Sequence, residues 1–246
     1  MARKEIQIDL LIHDLKNPLA VVQAGLKGLL TRPEQYGPLT PRQEKVLARL
    51  LRNTRAAQLL VHDALELSRS ERGMIRRTET PLAAMLQEML TEFFDVVDSR
   101  VSEAVKAAAS YGEMVEITAG VGLHLAVDTS ITKAVFLLDA EKTRQILRNL
   151  LSNAFKHRQG RVDLSAERDG DTLVFSVKDD GDGIPGEFHQ KIFNAYFQLR
   201  PSDGDPVRGH GVGLAGALAL ARDLEGDLSL VSGEGRGAEF ILRLPV

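Results

Sequence analysis

The chain has 246 residues, 43% hydrophobic and 26% charged, and its 34 acidic and 31 basic groups leave a formal net charge of -3. Those values place it among globular proteins and leave no global positive field to gather nucleic acid or anionic lipid. Cysteine is absent, which excludes disulfides, thiolate nucleophiles, iron–sulfur clusters and cysteine zinc sites. Apolar stretches such as Gly213 to Ala221 are far shorter than the ~18 to 20 residues of a membrane span. No charged-then-apolar leader opens the chain, so a cytoplasmic location with no membrane span is expected.

Residues 5 to 30 carry Ile6, Leu10, Leu11, Leu15, Leu19, Val22, Leu26, Leu29 and Leu30 at mixed spacings of three and four, an apolar stripe at helical period. Pro33, Gly37, Pro38 and Pro41 interrupt it. The stripe resumes with Val46, Leu47, Leu50, Leu51, Ala57, Leu60, Val61, Ala64, Leu65 and Leu67 and ends near Gly73. This predicts a helical hairpin. Two amphipathic helices cannot enclose a core alone; two copies can close into a four-helix bundle, the homodimer reading, or one hairpin can pack on the rest of its own chain.

Pro81 opens a predicted helix from Leu82 to about Val97. Val101 to Thr132 matches no motif and yields no assignment. "VFLLD" from Val135 predicts a strand, and Asp139 suits the N-cap of a helix over 140 to 157. "RVDLSAE" and "TLVFSVKD" alternate around an Asp169-Gly170 turn as a β-hairpin. A helix from about Leu214, stopped by Gly226, and a closing hairpin complete an α+β sandwich. The expected domains are 1–74, helical, and 75–246, the sandwich.

On the predicted helix 140–157, Asn149, Asn153, Lys156 and His157 stand at i, i+4, i+7 and i+8, on one polar face. Two carboxamides and an ammonium suit an anionic ligand, and a carboxamide oxygen also suits Mg²⁺, which keeps most of its waters. The bland alternative is a solvated helix face. "VKDDGDGIP" ends a strand in Asp179 and follows it with Gly181 and Gly183, where backbone can approach a flat ligand beside a hydrogen-bonding carboxylate. Gly209, Gly211 and Gly213 precede the next helix, whose free N–H groups suit phosphate. Gly211 to Gly216 spell G-x-G-x-x-G, but they follow a polar segment where a dinucleotide site requires a strand, and no Walker A sequence occurs. His124, His157, His189 and His210 have no metal-ligand spacing, so no zinc is expected.

These pieces in this order, with "NLLSNAFKH", "DDGDGIP", "IFNAYFQL" and "GHGVGLAGA", resemble the N, first glycine, phenylalanine and second glycine boxes of the sensor histidine kinase nucleotide-binding domain. That domain belongs with the gyrase, Hsp90 and MutL ATPases, and implies a Bergerat-type α/β sandwich. The resemblance implies ATP and Mg²⁺ as cofactors. Asn153 would hold the metal, Asn149 and Lys156 would lie against the phosphates with His157 facing the ligand, and Asp179 would read the adenine amino group. Gly181 and Gly183 would line the base pocket, with Gly209, Gly211, Gly213 and Leu214 at the phosphate end of a lid over 198–208. Ala238 stands where the last glycine box commonly has threonine.

"HDLKNPL" resembles the same family's phosphoacceptor box. His13 would take the phosphoryl group as a nucleophilic imidazole, Asp14 would act as its base, and Asn17, one turn on, would orient a water for dephosphorylating a partner. His62 in "VHDAL" lacks the following Asn-Pro and ranks behind it. The expectation is a dimeric protein-histidine kinase that passes its phosphoryl group to an aspartate of a response regulator receiver domain. Only twelve residues precede His13, so sensory input is expected from a separate protein or a removed segment. The alternatives are a phosphotransfer hub without ATP turnover, and an ATPase of the gyrase and Hsp90 kind.

Overall fold

The computed structural model describes residues 18–51, 53, 54, 57, 75–194, 197 and 213–246. They fall into two compact units, one before residue 72 and one made of the residues from 73 to 197 together with 213–246.

The first unit is helical. Helix α1 spans 18–31, a single turn α2 follows at Pro33–Tyr36, and α3 runs over 41–51. The proline-rich break between them also carries a helix start. Thr40 donates its N–H to Gln43 Oε1 at 2.8 Å, and Gln43 N–H reaches Thr40 Oγ1 at 3.3 Å, a reciprocal capping box with Pro41 in the first helical position. Gly37, at φ 85, takes the left-handed conformation that lets the chain reverse. Part of the expected apolar stripe stays in solvent: Val22, Val46 and Leu50 are 49%, 52% and 46% exposed.

The second unit is a sandwich. Strands β2 (Leu123–Val127), β4 (Val162–Asp169), β5 (Thr172–Asp179), β6 (Asp227–Ser232) and β7 (Ala238–Pro245) form one sheet in the order β2-β4-β5-β7-β6. All pairings are antiparallel except β2 with β4. Strict alternation sets the inner face: Val162, Leu164 and Ala166 on β4, Leu173, Phe175 and Val177 on β5, and Phe240, Leu242 and Leu244 on β7 are all buried. Helices α7 (Ala140–His157) and α8 (Gly213–Asp223) pack on that face, and α4 (Leu82–Val97) packs against α7. The hairpin turn falls one residue later than expected, on Gly170 and Asp171 between the paired Asp169 and Thr172, with Gly170 at φ 61.

The unassigned stretch holds two helices and a strand. Asp98 caps α5 (Ser99–Ala107) through Arg100 N–H, and Ser110 caps α6 (Tyr111–Ala119) through Glu113 N–H. Gln87 on α4 donates to the carbonyls of Val105 and Ala108 at 3.0 and 2.9 Å, which fixes the end of α5. Only Ser102 and Val105 of α5 are buried, too thin an apolar face to register as a period. The "VFLLD" strand is β3 (Val135–Leu138); it pairs with β1 (Thr78–Pro81), outside the main sheet. The end of α8 also differs from expectation. The left-handed residue is Glu225, at φ 60, while Gly226 is required because a side chain there would meet the Arg243 carbonyl.

Candidate functional site

Strand β5 delivers Asp179 to the inner face at its C-terminal end, where it is 5% exposed. Its Oδ1 accepts the N–H of Gly181 at 2.9 Å and that of Ala238 at 3.3 Å. Asp179 Oδ2 has no hydrogen-bond donor among the described residues. Burial pushes the carboxyl above its ordinary range, and the two backbone N–H groups pull it partly back. A carboxylate so placed presents one oxygen as an acceptor at the end of the sheet.

The glycines after Asp179 admit backbone where a side chain will not fit. A Cβ on Gly181 would strike the His157 carbonyl and come within 2.8 Å of Asp179 Oδ1. Gly183, at φ 75, and Gly237, at φ 71, would drive a Cβ into the carbonyls of Gly233 and Asp179 respectively. The turn 179–184 is thereby laid against the β6–β7 turn. Gly237 N–H donates to Gly181 O at 3.0 Å and Gly235 N–H to Asp182 O at 2.6 Å. Ser232 Oγ accepts Ile184 N–H at 2.9 Å and donates to Gly237 O at 2.6 Å. Sequence reasoning singled out Asp179, Gly181 and Gly183 but not Ser232 or Gly237; the Gly-rich "SGEGRG" between two strands was their only signal. At Ala238 the backbone N–H, which any residue would supply, makes the contact to Asp179.

Helix α7 brings the second set together. Asn149 Nδ2 reaches the carbonyl of Gly213, the first residue of α8, at 3.4 Å, so the wall carrying Asn149 also carries Gly213 and Leu214. Asn153 lies one turn further on and is half-buried, with no hydrogen-bond partner among the described residues. Lys156 and His157 are exposed in the last turn, and both have partners. A carboxamide without a partner, at the edge of a site made of N–H groups and amides, fits a hydrated Mg²⁺. Beside it, Asp180 accepts the N–H groups of Gln159, Gly160 and Arg161 at 2.8 to 3.1 Å, which holds its carboxyl below the usual range and pins the end of α7 to the sheet. His13, Asp14, Asn17, Gly209 and Gly211 lie outside the described residues.

Residues 138–246 match the histidine kinase-, DNA gyrase B- and HSP90-like ATPase family, and residues 4–73 match the His Kinase A (phospho-acceptor) domain. The aerobic respiration control sensor protein ArcB of Escherichia coli is 31% identical over 240 residues, 96% of this chain and 28% of its own length. The circadian input-output histidine kinase CikA of Synechococcus elongatus is 32% identical over 95% of this chain and 29% of its own length. The chain thus spans less than a third of these curated relatives. Full-length ShkA, solved in complex with AMPPNP, superposes with a TM-score of 0.66 at 26% identity, over 97% of this chain and 45% of that one. With a phospho-acceptor region and an ATPase region in that order, the chain belongs to the sensor histidine kinases and is a catalytic core of that family.

Proposed function

We propose that the chain runs the ATP-dependent half of a two-component system. Residues 75–246 bind ATP with Mg²⁺, His13 in residues 1–74 receives the γ-phosphoryl group, and an aspartate of a response regulator receives it next. The observation that carries this reading is the Asp179 carboxylate, buried and anchored through one oxygen, with the other oxygen available to an exocyclic amino group. Gly181 and Gly183 leave room for a flat base beside it. Asn149, Lys156, His157, Gly209, Gly211, Gly213 and Leu214 face the phosphates, and Asn153 holds the metal, which when bound supplies charge neutralisation there.

In the transfer a ring nitrogen of His13 attacks the γ-phosphorus. The N–P bond forms, the bond to the ADP oxygen breaks, and the proton shed by the imidazole passes to Asp14 or to water. The protein's work is positioning and electrostatics, since phosphoryl transfer demands little covalent chemistry of it. Asn17 orients a water for removing the phosphoryl group from the regulator. A homodimer through the hairpin is supported by the exposure of Val22, Val46 and Leu50, stripe residues that a second hairpin can cover. A cytoplasmic location accords with the receiver partner; among the described residues no helix is long and apolar enough to cross a membrane.

Incubation with γ-labelled ATP tests the reading. The expected product is an acid-labile, base-stable phosphoprotein, lost in His13→Gln and in Asn153→Ala. Label retained in His13→Gln overturns the acceptor assignment. Steady phosphate release with no phosphoprotein favours an ATPase instead.

A further inference from the structure

Asp139 does two jobs at once. Its Oδ1 accepts Lys142 N–H at 3.1 Å and so caps α7. Its Oδ2 accepts the N–H of Arg76 at 2.9 Å, at the point where the chain enters the second unit. Next to it, the Arg77 guanidinium holds Glu225 at 2.6 Å. Glu225 is the only residue other than glycine with positive φ among the described residues, and it lies just past the end of α8. Lys142, in the first turn of α7, reaches Asp223, in the last turn of α8, at 3.4 Å. Thr143 Oγ1 is buried in the same knot with no hydrogen-bond partner among the described residues. Residues 76 and 77 are therefore fastened to the start of α7 and the end of α8, the two helices that carry Asn149, Asn153 and Gly213.

We propose that Asp139 is a positioning residue of the kinase, registering α7 against residues 76–77 so that the seating of this entry segment and nucleotide occupancy at α7 and α8 bias one another. The proposal rests on the nucleotide reading above. Asp139 is 7% exposed, so unseating Arg76 strands a buried carboxylate oxygen, which is unfavourable unless the cap shifts with it. Entry segment and helix then move as one element. Any ligand that favours one arrangement of α7 favours the matching state of the segment, and the effect is reciprocal.

The test uses the full chain, a fluorescent Mg²⁺-ATP analogue, and hydrogen exchange at the Arg76 amide. Asp139→Asn separates the two jobs: a carboxamide has one acceptor oxygen, so it can cap α7 or receive Arg76 but not both. We expect Asp139→Asn to weaken nucleotide binding about 5- to 10-fold, within the range of ordinary couplings, and to lower the unfolding midpoint through the one buried hydrogen bond it gives up. Nucleotide should slow exchange of the Arg76 amide in wild type and leave it unchanged in Asp139→Asn. Arg77→Gln, which removes only the Glu225 clamp, should weaken binding by a smaller factor and keeps the test open if Asp139→Asn folds poorly. Unchanged affinity in both variants, or an Arg76 amide in wild type indifferent to nucleotide, overturns the coupling alone. No nucleotide binding by wild type overturns the parent reading and the coupling with it.

Discussion

The floor around Asp179 and the wall carrying Asn149 and Asn153 belong to one unit but are held by different means. The floor is backbone against backbone: two N–H groups on one carboxylate oxygen, three glycines packed against carbonyls, and a serine stitched between two turns. The wall presents side chains, and beside the site α7 meets α8 through the long Asn149–Gly213 bond of 3.4 Å. A rigid floor suits reading a base, where a misplaced acceptor forfeits selectivity. A sparse wall suits a phosphate chain and hydrated ion that complete the hydrogen bonding themselves.

The floor should therefore break the more easily. Gly183→Ala places a Cβ at φ 75 against the Gly233 carbonyl, and the expected loss is about 3 kcal/mol or more, read by urea unfolding. A loss under about 1 kcal/mol would mean that the two turns slide freely. Asp179→Asn separates stability from binding. Its folded-state carboxyl titrates above the unfolded one, so its contribution to stability is present at low pH and is lost as pH rises through the folded value. At neutral pH the buried charge is a liability, and the asparagine variant should melt higher, with the gap closing as pH falls toward the ordinary carboxylate range. Nucleotide affinity should drop about 10- to 100-fold, since a charged acceptor is lost.

The same contrast explains what the sequence discloses. The floor's leading residues were legible because a strand pattern ending in Asp179 and broken by Gly181 and Gly183 has a physical reason at each position. Helix α7 was legible for the same cause: a capping Asp139, and Asn149, Asn153 and Lys156 at helical spacing on one polar face. Ser232 and Gly237 were not, since they act through backbone atoms on a turn some fifty residues away, and no local pattern encodes that meeting. Strand β1 is four residues long with only Thr80 buried, and its partner β3 lies beyond three helices. Strand β2 pairs in parallel with β4, a non-local partnership that the antiparallel hairpin pattern did not suggest.

A smaller effect tests how the wall itself is braced. Arg144 and Arg148 on α7, four residues apart, face Glu88 and Glu92 on α4, also four apart. Arg144 pairs with Glu88 at 2.6 Å and lies 3.5 Å from Glu92, which also holds Arg148. The glutamates are partly exposed, so Glu92→Ala should lower stability by only about 1 kcal/mol, a loss that shrinks in high salt as charges are screened. A loss independent of salt would assign the bracing to packing of α4 on α7 instead.

The smallest expected effect on stability is the most informative about the wall. A Cβ at Gly213 meets Asn149 no closer than 3.9 Å, ordinary contact, and alanine is the better helix former. Gly213→Ala should leave the unfolding midpoint unchanged or raise it by up to about 1 kcal/mol equivalent. If Gly213 is glycine only for the fold's sake, nucleotide affinity should follow stability and stay put. If it is glycine because phosphate oxygens approach its backbone, affinity should fall about tenfold while stability does not, parting two quantities that Gly183→Ala must lower together. That divergence would separate a residue kept for its ligand from one kept for its neighbours.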